Sequence, residues 1–163
     1  MAEDRPGIDD SFFYDPDKAP GFLISRTAMR LRLGLRRVFA ENDMDVTPEQ
    51  WGVLLCLWRE EGLTQSELAD RTVKDRTTIT RILDLLEKKG LAERRKDASD
   101  RRTFRIHLTE AGKRSREVLF PLVRGYAEKI YADLLETEFA ALQVIMAKIN
   151  ARLDELESDV VAP

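Results

Sequence analysis

Two closely spaced helix-start signals constrain the fold of this chain more than any other feature of its sequence. In Thr47-Pro48-Glu49-Gln50 and again in Thr64-Gln65-Ser66-Glu67, a threonine is followed three residues later by Gln or Glu, which is the pattern of a capping box. The first signal predicts a helix that runs to Glu61-Gly62, and the second predicts a short helix that ends near Arg71. A tight turn at Thr72 to Lys74 then separates the short helix from the next one.

A fourth helix and a hairpin follow that turn. Asp75 is predicted to cap the helix, whose apolar residues recur at i, i+3, i+4 and i+7, and Gly90 is predicted to end it. Leu91 to Arg95 and Thr103 to Leu108 are predicted to pair as a β-hairpin, because apolar and polar residues alternate in the second segment. Short helix, tight turn, second helix and basic hairpin is the order of a winged helix-turn-helix, whose second helix lies in the DNA major groove. The apolar residues of the fourth helix are Ile79, Ile82, Leu83 and Leu86.

Three longer segments outside this unit are predicted to be amphipathic helices. The first covers Gly21 to about Glu41, the fifth follows the capping residue Thr109 and contains Pro121, where a kink can form, and the sixth begins at Thr137. Their apolar faces are wider than one small module covers, which predicts a homodimer. The fold class is therefore mainly α with a small β-hairpin wing. The domain, residues 21–163, comprises a winged helix-turn-helix at about 47–108 and dimerisation helices at about 21–41 and 109–157, and residues 1–20 are predicted to be a flexible acidic arm.

Charge is distributed unevenly along the chain. The 27 Lys and Arg residues against 30 Asp and Glu residues give a net charge of −3, which taken alone argues against a nucleic-acid partner. Between Thr64 and Arg116, however, 15 basic residues stand against 9 acidic ones, so this region carries +6 and the remainder −9. Because the phosphate backbone responds to local potential, the asymmetry favours a nucleic-acid-binding surface.

The exposed face of the fourth helix and the hairpin carry the candidate DNA-binding residues. Arg can pair with guanine through two hydrogen bonds, and Thr can reach phosphates or the thymine methyl group. An arginine at a loop tip can enter a narrow minor groove, and Asp100 is placed to orient the guanidinium of Arg102. The alternatives are a solvated helix face and a solvated charged hairpin. The candidates are Arg76, Thr77, Thr78, Thr80, Arg81 and Lys88 in the helix, and Arg94, Arg95, Lys96, Asp100, Arg101, Arg102 and Arg105 in the wing.

The chain has one cysteine, Cys56, and one histidine, His107. These counts exclude an intrachain disulfide, a zinc cluster of Cys and His and a catalytic set with two histidines, and no metal or other cofactor is predicted. An enzyme is disfavoured, since no Gly-rich phosphate loop follows a strand. No segment approaches the roughly 20 apolar residues that cross a bilayer, and with the single thiol this predicts a cytoplasmic protein. His107 is expected to face the outer surface of the wing or a phosphate.

Four motifs resemble the MarR family of bacterial transcription regulators over roughly Gly21 to Leu156. They are Leu63-Thr64-Gln65-Ser66-Glu67-Leu68-Ala69, Asp84-Leu85-Leu86-Glu87-Lys88-Lys89-Gly90-Leu91, Asp97-Ala98-Ser99-Asp100-Arg101-Arg102 and Leu108-Thr109-Glu110-Ala111-Gly112. The resemblance implies an obligate homodimer that binds pseudo-palindromic operators through the fourth helix and the wing. It places Asp100 and Arg102 at the wing tip and Arg76 to Arg81 in the recognition helix.

The resemblance also implies a small-molecule effector. Family members often bind small aromatic or phenolic anions between the dimer lobe and the winged module, where Arg30 and Trp51 are candidates, although the alternative for Trp51 is plain core. Some members sense oxidants through a cysteine. Cys56 lies in an apolar stretch and is expected to be an inert small hydrophobe, because burial denies it the thiolate.

The leading hypothesis is a dimeric, ligand-responsive repressor that binds double-stranded DNA of defined sequence, with an affinity that falls as salt rises. The alternative is a winged-helix protein-interaction or architectural module without sequence readout, whose basic face holds an acidic protein. The Thr and Arg side chains of the fourth helix favour the repressor, and a DNA titration separates the two hypotheses.

Overall fold

A computed structural model describes residues 14–97, 99–100 and 102–161 of the chain. In this part of the chain, six α-helices and three β-strands form two compact units, one up to Arg124 and the other from Gly125 onward. None of the described helices combines the length and the apolar character that a bilayer span requires. The elements are α1 (Pro20–Glu41), α2 (Pro48–Arg59), β1 (Leu63–Thr64), α3 (Gln65–Thr72), α4 (Arg76–Lys88), β2 (Ala92–Lys96), β3 (Phe104–Leu108), α5 (Glu110–Ile130) and α6 (Glu136–Val161).

The first turns of three helices confirm the predicted capping residues. In α2, the Thr47 hydroxyl accepts a hydrogen bond from the Gln50 backbone N–H at 3.2 Å, and the Gln50 side chain accepts one from the Thr47 backbone N–H at 3.2 Å. The same reciprocal pair joins Thr64 and Glu67 at the start of α3. Asp75 caps α4 by accepting from a backbone N–H of the first turn at 2.8 Å. These bonds satisfy donors that the start of a helix otherwise leaves free.

The end of α2 differs from the prediction. The sequence pattern extends this helix to Gly62, whereas α2 ends at Arg59. The backbone N–H of Gly62 donates to the carbonyl of Ile106 at 2.9 Å, and Leu63 pairs with Ile106 in the sheet. Pairing with β3 therefore draws the residues after Arg59 out of the helix and creates β1, a strand too short to be recognised from periodicity.

The two C-terminal helices follow the predicted order. The Thr109 hydroxyl caps α5 by accepting from the Gly112 backbone N–H at 3.0 Å, and the helix continues without a break through Pro121. α6 begins at Glu136, one residue earlier than predicted. The reason is that the backbone N–H just before it donates to the carboxylate of Glu138 at 2.9 Å, which anchors the first turn.

The three strands form an antiparallel sheet in the order β1-β3-β2. In the predicted hairpin, Ala92 pairs with Leu108 and Arg94 with Ile106. β1 pairs only with Arg105 and Ile106, so the β2–β3 hairpin extends beyond it as the wing. The side chains of Ile106 and Leu108 are buried and anchor the base of the wing in the core.

The core of the larger unit lies between α2, α3, α4 and the sheet. At one end, Trp51 is 8% exposed, and its ring centroid lies 6.3 Å from that of Phe39, 5.2 Å from Trp58 and 5.5 Å from Phe120. Such tilted and edge-on aromatic pairs add to the free energy gained by burial. The largest fully buried side chains are those of Phe39, Val53, Leu54, Leu57, Leu63, Leu68, Ile79, Leu83, Leu86, Ile106 and Leu119.

Gly112 allows the first turn of α5 to approach the base of the wing. A Cβ at this position would overlap the carbonyl oxygen of Leu91, which accepts a hydrogen bond from the Thr109 backbone N–H at 3.2 Å. The carbonyl of Gly112 in turn accepts from the indole N–H of Trp58 at 3.0 Å. The start of α5 is thus fixed both to α2 and to the residue that precedes β2.

Most of the predicted N-terminal arm, residues 1–13, lies outside the described residues. In the remainder of the arm, Asp17 pairs with Arg26 of α1 at 3.0 Å. The prediction of a flexible arm is thus tested by neither segment.

Candidate nucleic-acid interface

α4 buries one face and exposes a basic one. Four of its apolar side chains are buried in the core, and the opposite face presents Arg76, Thr77, Arg81 and Lys88 to solvent. Thr77, Arg81 and Lys88 recur at intervals of four and seven residues, which places them along one stripe of the helix. None of these four side chains makes a hydrogen bond or an ion pair within the described part of the chain. They are free to bind a partner that follows the helix axis.

Two of the predicted contact residues in α4 serve the helix itself. The Thr78 hydroxyl donates to the Asp75 carboxylate at 2.7 Å, and the Thr80 hydroxyl donates to the carbonyl of Arg76 at 2.8 Å. Thr80 also accepts a hydrogen bond from the side-chain amide of Gln65 at 2.6 Å, which ties α3 to α4. In the free protein these hydroxyls make local bonds, and the predicted DNA contacts of Thr78 and Thr80 stay predictions.

Arg94 of the wing is bound by acidic side chains of α4. Its guanidinium lies 2.8 Å from the Asp84 carboxylate and also contacts the carboxylate of Glu87, and its backbone N–H donates to Glu87 at 2.8 Å. The Arg94 side chain is 23% exposed. Its charge is neutralised by two acids of α4, so Arg94 joins the wing to α4 instead of reaching outward.

The Arg105 guanidinium is also bound within the chain, although 44% of the side chain is exposed. Its guanidinium pairs with the Asp97 carboxylate and donates to the carbonyl of Gly62 at 2.8 Å. The Asp97 carboxylate additionally accepts hydrogen bonds from the hydroxyl and backbone N–H of Ser99. In the free protein Arg105 thus connects β3 to the residues that flank the two edge strands, and its predicted DNA contact stays a prediction.

The outer part of the wing exposes basic side chains around a loop that Asp100 organises. Asp100 accepts hydrogen bonds from the Arg102 backbone N–H at 2.9 Å and from the Thr103 hydroxyl at 3.0 Å. Arg102 is 97% exposed, and its Nε lies 3.8 Å from the Asp100 carboxylate. This distance is too long for the predicted hydrogen bond between the two side chains, so Asp100 orients Arg102 through the backbone. Lys96 is exposed, Arg95 pairs with the neighbouring Glu93, and Arg101 lies outside the described residues.

The hydrogen bonds to Asp97 predict a pH dependence of stability. The Ser99 hydroxyl, the Arg105 guanidinium and the backbone N–H groups of Ser99 and Asp100 together hold the pKa of Asp97 well below its usual range. Since the folded protein binds this proton less readily than the unfolded chain, the stabilisation is complete at neutral pH and is lost as the pH falls below about 4. We expect Asp97→Asn to lower the Tm at pH 7 and the difference from the native protein to shrink in acid.

Thermal unfolding followed by circular dichroism between neutral and acidic pH measures this effect. Asp70→Asn, at an exposed position of α3, is the matched control and should follow the native curve. A difference in Tm that stays constant across the whole pH range would assign the loss in Asp97→Asn to packing and contradict the role of the charge.

Comparison with known proteins identifies the family. A model described as the MarR family matches residues 46–104, the segment that runs from just before α2 to the first residue of β3. An uncharacterised HTH-type transcriptional regulator of Bacillus cereus, BCE33L1758, is 32% identical over 114 residues, which cover 69% of this chain and 76% of the relative. The chain belongs to the MarR family. The resemblance inferred from the four sequence motifs is confirmed.

Other similar proteins include regulators and solved structures. The transcriptional repressor MprA of Escherichia coli K12 is 38% identical over 96 residues, which are 59% of this chain and 54% of MprA, so the match spans about half the length of that relative. The repressor CouR bound to a 23-mer DNA duplex is 29% identical with a TM-score of 0.73, and the match covers 82% of this chain and 94% of CouR. Apo MarR of E. coli is 27% identical with a TM-score of 0.67 over 79% of this chain and 95% of MarR. The winged-helix fold is thereby shown.

An open cleft of this MarR-family chain lies beside the C-terminal end of α4. It has a volume of about 670 Å³ and is mainly apolar. The predicted effector residues do not line this cleft. Arg30 is exposed on α1, and Trp51 belongs to the aromatic part of the core, which is the alternative given for it in the sequence analysis. The lining residues are Met44, Asp45, Val46, Leu85, Lys88, Lys89, Leu91, Ser115, Val118 and Leu119.

His107 and Cys56 lie apart from the exposed face of α4. His107 Nδ1 is 3.5 Å from the Glu61 carboxylate, so an acidic group faces it where a phosphate was one of the expectations. Burial raises the pKa of the Cys56 thiol, partly offset by the charges of Arg71 and Arg59. A raised pKa fits the expectation of a small hydrophobe with little thiolate. The described residues contain no cluster of His, Cys, Asp or Glu arranged to hold a metal ion.

Two features of the interface were missed from the sequence. Gln65 bridges to α4 through Thr80, and the only signal was a polar residue at the first position of a short helix. The acidic partners of Arg94 had a clearer signal, because Asp84 and Glu87 are three residues apart and so lie on one face of α4. Acids at that spacing, followed by a basic strand, predict a helix-to-wing ion pair.

Proposed function

We propose that this chain is a homodimeric transcription regulator, a repressor and not an enzyme, that binds double-stranded DNA of defined sequence in the cytoplasm. The observation that carries the proposal is the set of unpaired basic and hydroxyl side chains on α4, combined with the exposed Arg102 at the wing. A helix of this kind reads base edges in the major groove while a wing arginine enters the minor groove. The structural similarity to CouR, which was solved on a DNA duplex, supports the same use of this fold.

Exposed apolar side chains on the flanking helices support the dimer. Phe22, Met29 and Leu33 of α1 are at least 49% exposed. α6 exposes large apolar residues along its length, among them Phe139, Leu142, Val144, Ile145, Leu153 and Leu156. A second copy that covers such faces by twofold symmetry presents two copies of α4 about 34 Å apart, which requires a palindromic site.

Selection of bound sequences from a random duplex pool at near-physiological salt tests this function. The expected result is a consensus with twofold symmetry and half-sites one helical turn apart. An Arg81→Ala variant in the same selection should lose its preference at one base pair in each half-site, because Arg81 is the central basic residue of the exposed stripe. Recovery of no sequence, or of binding that salt abolishes without any consensus, would favour a protein-interaction or architectural module instead.

We further propose that a small aromatic or phenolic anion binds in the cleft beside α4 and weakens DNA binding. The cleft shares Leu85 and Lys88 with the helix that presents Arg81, so an occupant acts directly on the reading helix. The Lys88 amine has no partner among the described residues, whereas Lys89 is already bound to Asp45 at 2.7 Å. Lys88 therefore supplies a free positive charge beside an apolar wall, which suits an aromatic carboxylate.

Filling the cleft is expected to abolish the effector response. Benzoate and 4-hydroxybenzoate should weaken the complex of the native protein with its operator. Val118→Trp should bind the operator with native affinity, and neither compound should change that affinity. Fluorescence anisotropy of labelled operator DNA measures both properties. Leu55→Trp, which adds the same ring at an exposed apolar position of α2 outside the cleft, is the control. An unchanged response in Val118→Trp would place the effector elsewhere.

A further inference from the structure

Val73 has a backbone conformation that its side chain disfavours. It forms the turn between α3 and α4 with φ 50° and ψ 54°, in the left-handed region. Among the described residues other than glycine, only Asp43 shares a positive φ. Asp tolerates this region, but a β-branched residue clashes with its own backbone there, so Val73 is the more strained of the two.

The turn itself needs the backbone conformation but not the valine side chain. The Val73 backbone N–H donates to Asp70 at 3.2 Å, and the Lys74 backbone N–H donates to Ala69 at 3.0 Å, which satisfies the last carbonyls of α3. Glycine or asparagine would make the same bonds without strain. The Val73 side chain is 91% exposed, so burial in the free protein does not offset the strain.

The position of Val73 relates this unexplained side chain to the DNA-binding surface. Val73 lies two residues before Asp75, the cap of α4, and the exposed Arg76 and Thr77 follow directly. The N-terminal end of a recognition helix is the part that approaches base edges in the major groove. An isopropyl group cannot hydrogen-bond to a phosphate, whereas the thymine methyl is the apolar group on the major-groove edges of the bases.

We propose that Val73 is a specificity residue that contacts a thymine methyl group in each half-site. This inference rests on the proposed DNA-binding function and adds a residue and a base to it. Residues with a strained backbone conformation cluster at functional sites, where the strain is retained because the residue serves a function. The contact recovers in the complex the burial that the free protein lacks.

The experiment compares Val73→Gly with the native protein on the selected operator and on operators in which one thymine at a time is replaced by deoxyuridine. Removing a buried methyl group costs about fourfold in affinity per half-site, or about 15-fold on the symmetric site. The native protein should therefore bind more weakly when the thymine at one position of each half-site is replaced. Val73→Gly should bind the unmodified operator more weakly than the native protein, and the same replacement should not weaken its binding further. The Tm of Val73→Gly should rise, because glycine relieves the strain, so that impaired folding does not mimic the effect.

Asp43→Gly is the matched control, since it relaxes the other positive-φ residue in the connection between α1 and α2. Removing its negative charge lowers the repulsion of DNA phosphates, so this variant is expected to bind DNA no more weakly than the native protein. Equal affinity of Val73→Gly and the native protein, or a loss without any dependence on a thymine methyl, overturns the inference and leaves the proposed function intact. Failure of the native protein to select any sequence overturns both.

Discussion

The Arg102→Ala variant is expected to bind its operator at least about 30-fold more weakly than the native protein while keeping its dimer and its Tm. Arg102 is 97% exposed, and its guanidinium makes only a 3.8 Å contact with the Asp100 carboxylate. Removing it should therefore leave the free energy of unfolding almost unchanged. Inserted into a minor groove, an arginine contributes about 1–3 kcal/mol, and a twofold dimer carries two of them. Electrophoretic mobility shifts over a range of salt concentrations measure both the affinity and its salt dependence.

Salt dependence distinguishes a direct phosphate or groove contact from a structural effect. Each lost cation lowers the slope of log affinity against log salt by about one, so the dimer should lose about two. Arg114→Ala, which removes an equal exposed charge from α5, is the control and should change affinity less, because Arg114 belongs neither to α4 nor to the wing. Native affinity in Arg102→Ala would refute the assignment of the wing tip to DNA.

Glutamate at both Ile145 and Ile149 is expected to convert the dimer into monomers that no longer bind the palindromic site. Ile145 is 54% exposed in the isolated chain, and Ile149 lies four residues further along the same side of α6. Burying an isoleucine contributes about 1.5–3 kcal/mol, and a charged replacement must also be desolvated, so four changed side chains in one dimer remove most of the association free energy. Sedimentation equilibrium measures the change in mass.

Circular dichroism of the same samples separates loss of the dimer from loss of the fold. Gln143→Glu is the control, because it adds a negative charge to an exposed polar position of the same helix. A double variant that remains a folded dimer with native affinity for DNA would place the interface on a different face. Monomers that retain the winged unit would instead show that this unit folds without its partner.

Local chemistry made the winged unit predictable. The capping residues Thr47, Thr64 and Asp75 act within one turn of the chain, so the sequence spacing determines their partners. The core face of α4 follows from helical periodicity for the same reason. β1 escaped prediction because two residues carry no period, and its pairing with β3 joins segments about 40 residues apart.

The wing arginines show where sequence reasoning reaches its limit. A count of positive charges treats Arg94, Arg102 and Arg105 as equal, but the structure pairs two of them with carboxylates and exposes the third. The acids that bind Arg94 belong to α4, so the pairing depends on how the hairpin folds back against that helix. The local excess of positive charge therefore favours a nucleic-acid-binding surface, but it does not distinguish the arginines that pair with carboxylates from the exposed one.

The close approach at Gly112 has a mechanical consequence. The first turn of α5 contacts the base of the wing at Leu91 and is hydrogen-bonded to α2 through the Trp58 indole. Arg94 joins the wing to α4 by an ion pair. Because these contacts join the first turn of α5, the wing and α4, we expect the three to move together as one rigid body when that turn tilts. We therefore expect the distance between the two winged units of the proposed dimer, and not the shape of either unit, to set how well the protein fits its DNA.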